Sequence, residues 1–464
     1  MKRLHKLLSL MLAFLFLCAA VSALSAYAAD ADTAFVPVMR FVASSDTHVR
    51  DNSDMTRDRI GKMMTLAYAK ADADPNYQKI DALLVAGDLT NDGTKTEFEK
   101  FQTAINAALR PETAFLAVVA KNHDGYELSR EELRDFYKQL SGNDADFHTV
   151  IGGYHFIGVS VSPNKAAHYD FKQLTWLKKQ LDIAVADTPD KPVFVTHHEH
   201  NIETVYGSSV YEGWGVPYFK AILNRYPQVV DFSGHSHFPL NDPRSVWQGK
   251  FTAIGTGAIY YSEFTVEGLR SYHPADSEQT ATCWIVELND KGDLHLQGMD
   301  VEAGKQLCDY VLPNPADPDN RDYTPEKRRA ASKAPVFAAD ASITATPDFG
   351  GCTVAVSAAQ STDGMPIVLY RASAQNKLGV TVSKSWTMPQ YYRAVEQDTV
   401  ALQLQGLSKG DYTVSVVAET AYGVQSDALE TEIKVENGAN AVGAFFRLLA
   451  RPFKLLIAAL KAVF

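Results

Sequence analysis

Five short apolar runs in this 464-residue sequence each end in an Asp, an Asn or a His. Asp46-Thr47-His48 follows VMRFVASS (38–45), and Asp88 follows IDALLVAG (80–87). Asn122-His123-Asp124 comes just after FLAVVA (115–120), His197-His198 after VFVT (193–196), and Gly234-His235-Ser236-His237 after VVDFS (229–233). Chance accounts for one or two such endings; five point to a shared site. The donors are carboxylate, amide and imidazole, with no thiolate among them. That set suits borderline divalent ions such as Mn, Fe or Zn and argues against soft-metal chemistry. Divalent ions so held neutralise an anionic substrate and lower the pKa of a bound water toward neutrality.

These residues need elements to carry them. The runs, together with HFIGVSVS (155–162) and FTAIGTG (251–257), are short and rich in Val, Ile and Phe, so they read as buried strands. Between them lie stretches with apolar residues at helical spacing: 55–73, 96–109, 171–185 and 216–225. The alternation predicts an α/β domain of layered sheet over residues 36–310. In open α/β sheets the working residues gather outside the carboxyl ends of strands, which is where all five motifs fall.

In this order, DTH (46–48), GDLTNDG (87–93), NHD (122–124), THH (196–198) and GHSH (234–237) resemble the motifs of the calcineurin-like metallophosphoesterase superfamily, over roughly residues 38–260. Each motif is weak alone; the ordered set is specific. The resemblance implies a four-layered α/β/β/α sandwich and a centre holding two divalent metal ions (Mn, Fe or Zn). It implies Asp46, His48 and His237 as ligands of one metal, Asp88 as the bridging carboxylate, and Asn122, His197 and His235 as ligands of the other. By the same resemblance His123 is catalytic, stabilising developing charge and helping to protonate the leaving oxygen. Asp124 either orients His123 or caps the helix that follows. The implied substrate is a small phosphoester, with a lean toward diesters over monoesters. The sequence departs from the family at Lys121, where a Gly normally eases a tight turn. Lys121 is then either a solvated surface side chain or an added positive charge near the substrate.

Other residues invite a role. HHEH (197–200) crowds further histidines behind His197, and His198 and His200 read as supporting or rim residues. His155 reads as a structural histidine inside a strand. Tyr211, Trp214, Tyr260 and Tyr261 lie in loops after later strands; Tyr211, Trp214 and Tyr260 are taken as substrate-binding candidates, with core packing as the alternative. The Gly- and aromatic-rich loop 201–217 is the expected specificity loop.

Residues 1–28 have the pattern of a secretory signal peptide: Lys2, Arg3 and Lys6, an apolar run from Leu7 to Val21, then Ala26-Tyr27-Ala28. A secreted, extracellular or cell-surface protein is expected; a membrane anchor is the alternative, though the run is short for a span. Cleavage removes three positive side chains and no negative ones, taking the net charge from −11 to −14. That acidity argues against a nucleic-acid backbone as partner. Cys283, Cys308 and Cys352 are too few and scattered for a disulfide framework, with a Cys283–Cys308 pair left open. Residues 311–336, with five prolines and no periodicity, read as a linker. Residues 337–436 alternate apolar and polar positions, as an immunoglobulin-like β-sandwich does. Within them GLSKGDYTVSVVAETAYGVQSDAL (406–429) resembles the end of a fibronectin type III module, with Tyr412 opening a strand after a turn. Residues 440–464 form a basic amphipathic tail, with Arg447, Arg451, Lys454 and Lys461 on one helical stripe. That pattern suits a helix lying on a membrane surface, and a helix docked on the enzyme is the alternative. Against the enzyme reading as a whole stands a surface adhesion protein with a degenerate phosphoesterase site; the complete set of seven ligand residues disfavours it.

Overall fold

The computed structural model describes residues 35–165, 167–209 and 217–436. The signal-like segment, the basic tail, and Tyr211 and Trp214 lie outside the described residues. The chain runs β1 (Met39–Ser44), α1 (Met55–Ala73), β2 (Ala82–Ala86), α2 (Lys95–Ala108), β3 (Ala114–Val118), α3 (Arg130–Ser141), β4 (Phe147–Ile151), β5 (Tyr154–Gly158) and α4 (Phe171–Asp187). It continues through β6 (Val193–Thr196), α5 (Pro217–Leu223), β7 (Val229–Ser233), β8 (Val246–Gln248), β9 (Thr252–Gly255), the hairpin β10 (Phe264–Val266) and β11 (Leu269–Tyr272), β12 (Thr282–Leu288), β13 (Leu294–Asp300) and β14 (Lys305–Leu312).

Two six-stranded sheets result, ordered β14-β13-β12-β1-β2-β3 and β4-β5-β6-β7-β9-β8. The strands that end in the motifs pair in parallel within each sheet. They are buried at almost every position, so they need apolar neighbours on both faces, and runs of Val, Leu and Phe supply them. Alternate residues then face different cores. Val42, Leu83 and Val85 meet Ile60, Met63, Phe98 and Phe101 of α1 and α2. From the opposite face, Phe41 and Leu84 meet Phe156, Phe194 and Phe232 of the second sheet. On that sheet's far face, Val193 and Val195 pack with Leu177 and Leu181 of α4 and Phe219 of α5. The Phe41 ring sits edge-on to Phe156, Phe194 and Phe232 at 5.3, 4.9 and 5.7 Å between centroids, which pins the two sheets together.

Two stretches differ from the sequence reading, and the cysteine pairing it left open is answered. Residues 282–312 are strands, not read as such, which add antiparallel to the edge of β1. Residues 311–336 are folded rather than a spacer. The Arg321 guanidinium donates to the carbonyls of Pro315 and Pro227 at 2.7 and 2.9 Å, Tyr323 N donates to Gln248 Oε1 at 3.0 Å, and α6 (Pro325–Ala331) starts on Thr324. Their prolines punctuate a strap of turns held against the catalytic half. Finally, Cys283 and Cys308 are free. Cys283 pairs with Met299 and Cys308 with Gly298, so β13 lies between them. Two strand spacings of about 4.8 Å exceed the reach of a disulfide.

The β region holds β15 (Ile343–Asp348), β16 (Gly351–Ser357), β17 (Ile367–Asn376), β18 (Thr381–Thr387), β19 (Thr399–Gln405), β20 (Gly410–Thr420) and β21 (Leu429–Val435). They form two antiparallel sheets, β15-β16-β19 and β18-β17-β20-β21. Val354, Val356, Leu402, Leu404, Val414 and Val416 fill one core shared by both. The Tyr412 hydroxyl donates to the Ser408 carbonyl at 3.0 Å.

Candidate metal centre

Asp46, His48, Asp88, His235 and His237 all have positive φ, between 43° and 71°. Among the described non-glycine residues only Glu203 and Glu267 share that conformation. Each such residue costs roughly 1–3 kcal/mol, a strain that persists only where the surroundings over-determine it. Here they do. Beyond the ends of β1 and β2 the two loops stay paired: Asp46 N donates to Gly87 O at 3.0 Å, His48 N to Asp88 O at 3.1 Å and Val49 N to Leu89 O at 3.0 Å. The loop after β7 closes on them, with His235 N donating to Asp46 Oδ2 at 3.0 Å. A Cβ at Gly234 would strike Ser45 and the Asp46 carboxylate, so glycine there permits the approach.

Two groups of donors result, and both contain Asp88. The first is Asp46, His48, Asp88 and His237; the second is Asp88, His198 and His235. In the first, His237 Nε2 lies 3.1 Å from Asp46 Oδ1 and 3.1 Å from His48 Nε2. His48 Nε2 is also 3.8 Å from Asp88 Oδ2. In the second, His198 Nε2 lies 3.2 Å from Asp88 Oδ2. The Asn122 amide joins the second group, donating to Asp88 Oδ2 at 2.8 Å and lying 3.5 Å from His235 Nδ1.

The structure corrects the expectation at His197. Its Nε2 lies 3.2 Å from Asp231 Oδ2, its ring stacks on Phe219 at 4.2 Å, and it is away from both donor groups. His198 takes the place by Asp88. The reason is strand alternation: His197 continues the parity of Val193 and Val195, which face α4 and α5, whereas His198 continues that of Phe194, which faces the other sheet. Gly87 makes room, since a Cβ there would sit 2.7 Å from His198 Nδ1. That Nδ1 donates to the Ala86 carbonyl at 2.8 Å, which fixes the ring's orientation and turns Nε2 toward Asp88. His237 Nδ1, 3.2 Å from the Tyr261 carbonyl, is held in the same way.

The remaining candidates divide. His123 Nδ1 donates to the Asn91 carbonyl at 2.7 Å, and its ring stands 4.3 Å from that of His48. Asp124 does not orient it and caps no following helix. Its buried carboxylate accepts from Thr90 N and Oγ1 and from Ala120 N, all at 2.9 Å, tying the loop after β3 to the loop after β2. Burial, and then the charge of Asp88, push Asp124 up to about 7. Tyr260 is buried rather than open to substrate. Its hydroxyl donates to Glu278 at 3.2 Å, and its ring lies between His48 and the Arg50 guanidinium. Tyr261 is half-buried, its ring 4.1 Å from that of His237. His200 is enclosed by the Ser233 and Ser236 hydroxyls, and burial lowers it to about 3. His155, buried, holds Asp187 and His148. Lys121 is exposed, 3.3 Å from His168.

The residues fit divalent cations. Asp88 Oδ1 and Asn122 Oδ1 are buried atoms with no hydrogen-bond partner, and they belong to the shared carboxylate and the amide beside it. Buried polar atoms left this way call for an ion or water. Two imidazole Nε2 atoms 3.1 Å apart likewise need a cation or proton between them. Burial lowers His48 and His235 to about 4, so both are neutral at pH 7, the form that binds metal. Burial also works against the charged forms of His198 and His237, but the carboxylates of Asp88 and Asp46 prevail and hold both above the usual imidazole range.

Residues 39–239 match the calcineurin-like phosphoesterase family, a span that includes all five motifs. The glycerophosphodiester phosphodiesterase GpdQ of Enterobacter lignolyticus (strain SCF1) is 24% identical over 201 residues, which is 42% of this chain and 69% of that relative. Among solved structures, a purple acid phosphatase from yellow lupin (Lupinus luteus) seeds aligns with 59% of this chain and 53% of its own, at 13% identity and a TM-score of 0.41. The structure of PhoD aligns with 62% of this chain and 71% of its own, at 13% identity and a TM-score of 0.36. The chain thus spans about half the length of the lupin phosphatase. The span that matches this family contains most of the candidate metal site, at Asp46, His48, Asp88 and His237.

Proposed function

We propose that the chain hydrolyses phosphodiesters, with phosphomonoesters as a secondary class, at the two donor groups that share Asp88. That sharing is the observation that carries the reading, because it sets two cation positions side by side. Cations bound there supply charge neutralisation and a water of lowered pKa for in-line displacement at phosphorus. Asp46, His48, Asp88 and His237 would hold one, and Asp88, Asn122, His198 and His235 the other. His123 serves the leaving group. With Nδ1–H bonded to the Asn91 carbonyl, its Nε2 is the atom left to deliver a proton to the departing oxygen, and the carbonyl steadies the imidazolium that does so. The lean to diesters is supported by the activity named for the GpdQ relative.

The test is metal content together with hydrolysis of nitrophenyl mono- and diesters. A folded preparation that binds no metal and cleaves neither ester would sink the proposal and favour a binding protein. His123→Ala is expected to lower kcat by about 10²-fold, at the lower end of general-acid effects, with metal content kept. Loss of metal in that variant would instead place His123 among the ligands.

The three stacked cores support the four-layered α/β/β/α arrangement. The Tyr412–Ser408 hydrogen bond supports a fibronectin type III-like β region. We further infer secretion after cleavage at Ala28 and attachment of residues 440–464 to anionic membrane, from their sequence pattern. Full-length protein is then expected to co-sediment with anionic vesicles and a chain ending near residue 438 is not; equal binding by both removes the membrane proposal.

A further inference from the structure

Three side chains of the β region converge on one carboxylate of the catalytic half. Asp276 accepts from Tyr392 Oη at 2.6 Å, from Gln390 Nε2 at 2.7 Å and from Arg393 Nη1 at 2.8 Å. Neighbouring contacts widen the grip. The Tyr392 ring lies 4.9 Å from Phe264, Trp386 lies 5.4 Å from Tyr272, and Arg371 Nη2 lies 2.7 Å from Glu267 Oε1. All of these partners belong to residues 259–280, which contain the β10–β11 hairpin.

The same residues reach the donor groups from their other side. Ser262 N donates to Ser277 O at 3.1 Å, and Glu278 accepts the Tyr260 hydroxyl. Glu263 N donates to the His237 carbonyl at 3.1 Å, and the Tyr261 carbonyl lies 3.2 Å from His237 Nδ1. The Tyr261 ring is 4.1 Å from that of His237 and 5.3 Å from that of His273, whose 45% exposure brings the row to the surface. Arg59 of α1 separately holds the two ends of the stretch, through the carbonyls of Ile259, Tyr260 and Glu278. The middle, residues 261–277, is held from the catalytic half by the Tyr206 hydroxyl on the Thr265 carbonyl, and its other outward contacts named here come from the β region.

We propose that the β region is a positioning device for the candidate centre: Gln390, Tyr392 and Arg393, by gripping Asp276, fix residues 261–277 so that Tyr261 orients His237 and, with His273, walls the approach to it. Gln390, Tyr392, Arg393 and Asp276 are positioning residues. Tyr261 and His273 are the specificity-determining pair, meeting the part of the substrate that is not transferred. Only the kinetic arm of the test rests on the phosphodiesterase reading.

The experiment compares wild type with Tyr392→Phe, Arg393→Ala, their combination, and Arg393→Lys, all in the full chain. Amide hydrogen exchange is followed in residues 261–277 and, as reference, in β1 and β6. Manganese half-saturation is measured by titration, and kcat and KM with bis(4-nitrophenyl) phosphate. In the double variant, exchange in 261–277 should rise about tenfold with β1 and β6 unchanged. Manganese half-saturation should rise about tenfold, the scale of removing support from a metal-ligating imidazole. KM should rise more than kcat falls. Arg393→Lys, which keeps a cation for Asp276, should recover most of the loss. Tyr392→Phe deletes a hydroxyl but keeps the packing on Phe264, so it remains informative if the double variant fails to fold. Unchanged exchange and half-saturation would overturn the proposal. So would an equal rise in β1 and β6, which marks general loosening. A wild type that binds no manganese and cleaves no ester defeats the enzyme reading alone, because the exchange arm still decides the grip.

Discussion

Asp88→Ala should abolish both metal binding and turnover, because it removes the one carboxylate common to the two donor groups. Each cation is worth several kcal/mol of transition-state stabilisation. At 1.36 kcal/mol per tenfold, losing both lowers kcat/KM by about 10⁴-fold or more. The fold should survive. In the metal-free chain the buried carboxylates of Asp46 and Asp88 oppose each other, so removing one relieves that repulsion even as His198 loses its partner. The measurement is metal content by mass spectrometry on protein that keeps a cooperative thermal transition. Two retained metals, or activity within tenfold of wild type, would refute Asp88 as the shared ligand. pH offers a second check. His198 and His237 are held above the usual imidazole range and carry protons that a cation must displace. Wild-type metal half-saturation should therefore fall as pH rises, levelling off once both are deprotonated.

Much of the centre was legible because the chain writes each motif directly after a buried strand, so Asp46, Asp88, Asn122 and His235 could be placed at sheet ends without coordinates. What failed were matters of packing rather than of residue type. Asp124 follows His123 in sequence, which invites a catalytic pair, yet its carboxylate turns to Thr90 and Ala120 N–H groups. No one-dimensional pattern shows that turn. Residues 311–336 have the composition of a spacer, but composition does not distinguish a flexible tether from a strap of turns, and the hydrogen bonds of Arg321 decide it. Strands β12 to β14 escaped because they add antiparallel beyond the last α/β unit. There the alternation of TCWIVEL is masked by burial at every position. Tyr260 looked like a pocket aromatic; its loop folds back under Arg50 and buries it.

The choice between His197 and His198 is different, since the signal was present in the sequence and its consequence is large. VFVT alternates between two cores, and extending its parity by two residues sends His197 to the helix face and His198 to the site. His198→Ala should then cost one cation, a loss of several kcal/mol and about 10³-fold in kcat/KM. The Asp46–His48–His237 group would stay intact, so about half the metal should remain. His197→Ala should behave in the opposite way. It leaves Asp231 and Asn201 buried without their imidazole partner and opens space against Phe219. The unpaired polar groups alone cost roughly 1–3 kcal/mol, and in a domain this size each kcal/mol lowers Tm by roughly 2–4 °C. Its metal content and its kcat well below the new Tm should be close to wild type. The pair of variants separates a ligand from a structural histidine on two axes. An interchange of the outcomes, with metal lost from His197→Ala and only stability lost from His198→Ala, would return His197 to the centre and require the chain after β6 to rotate by one residue.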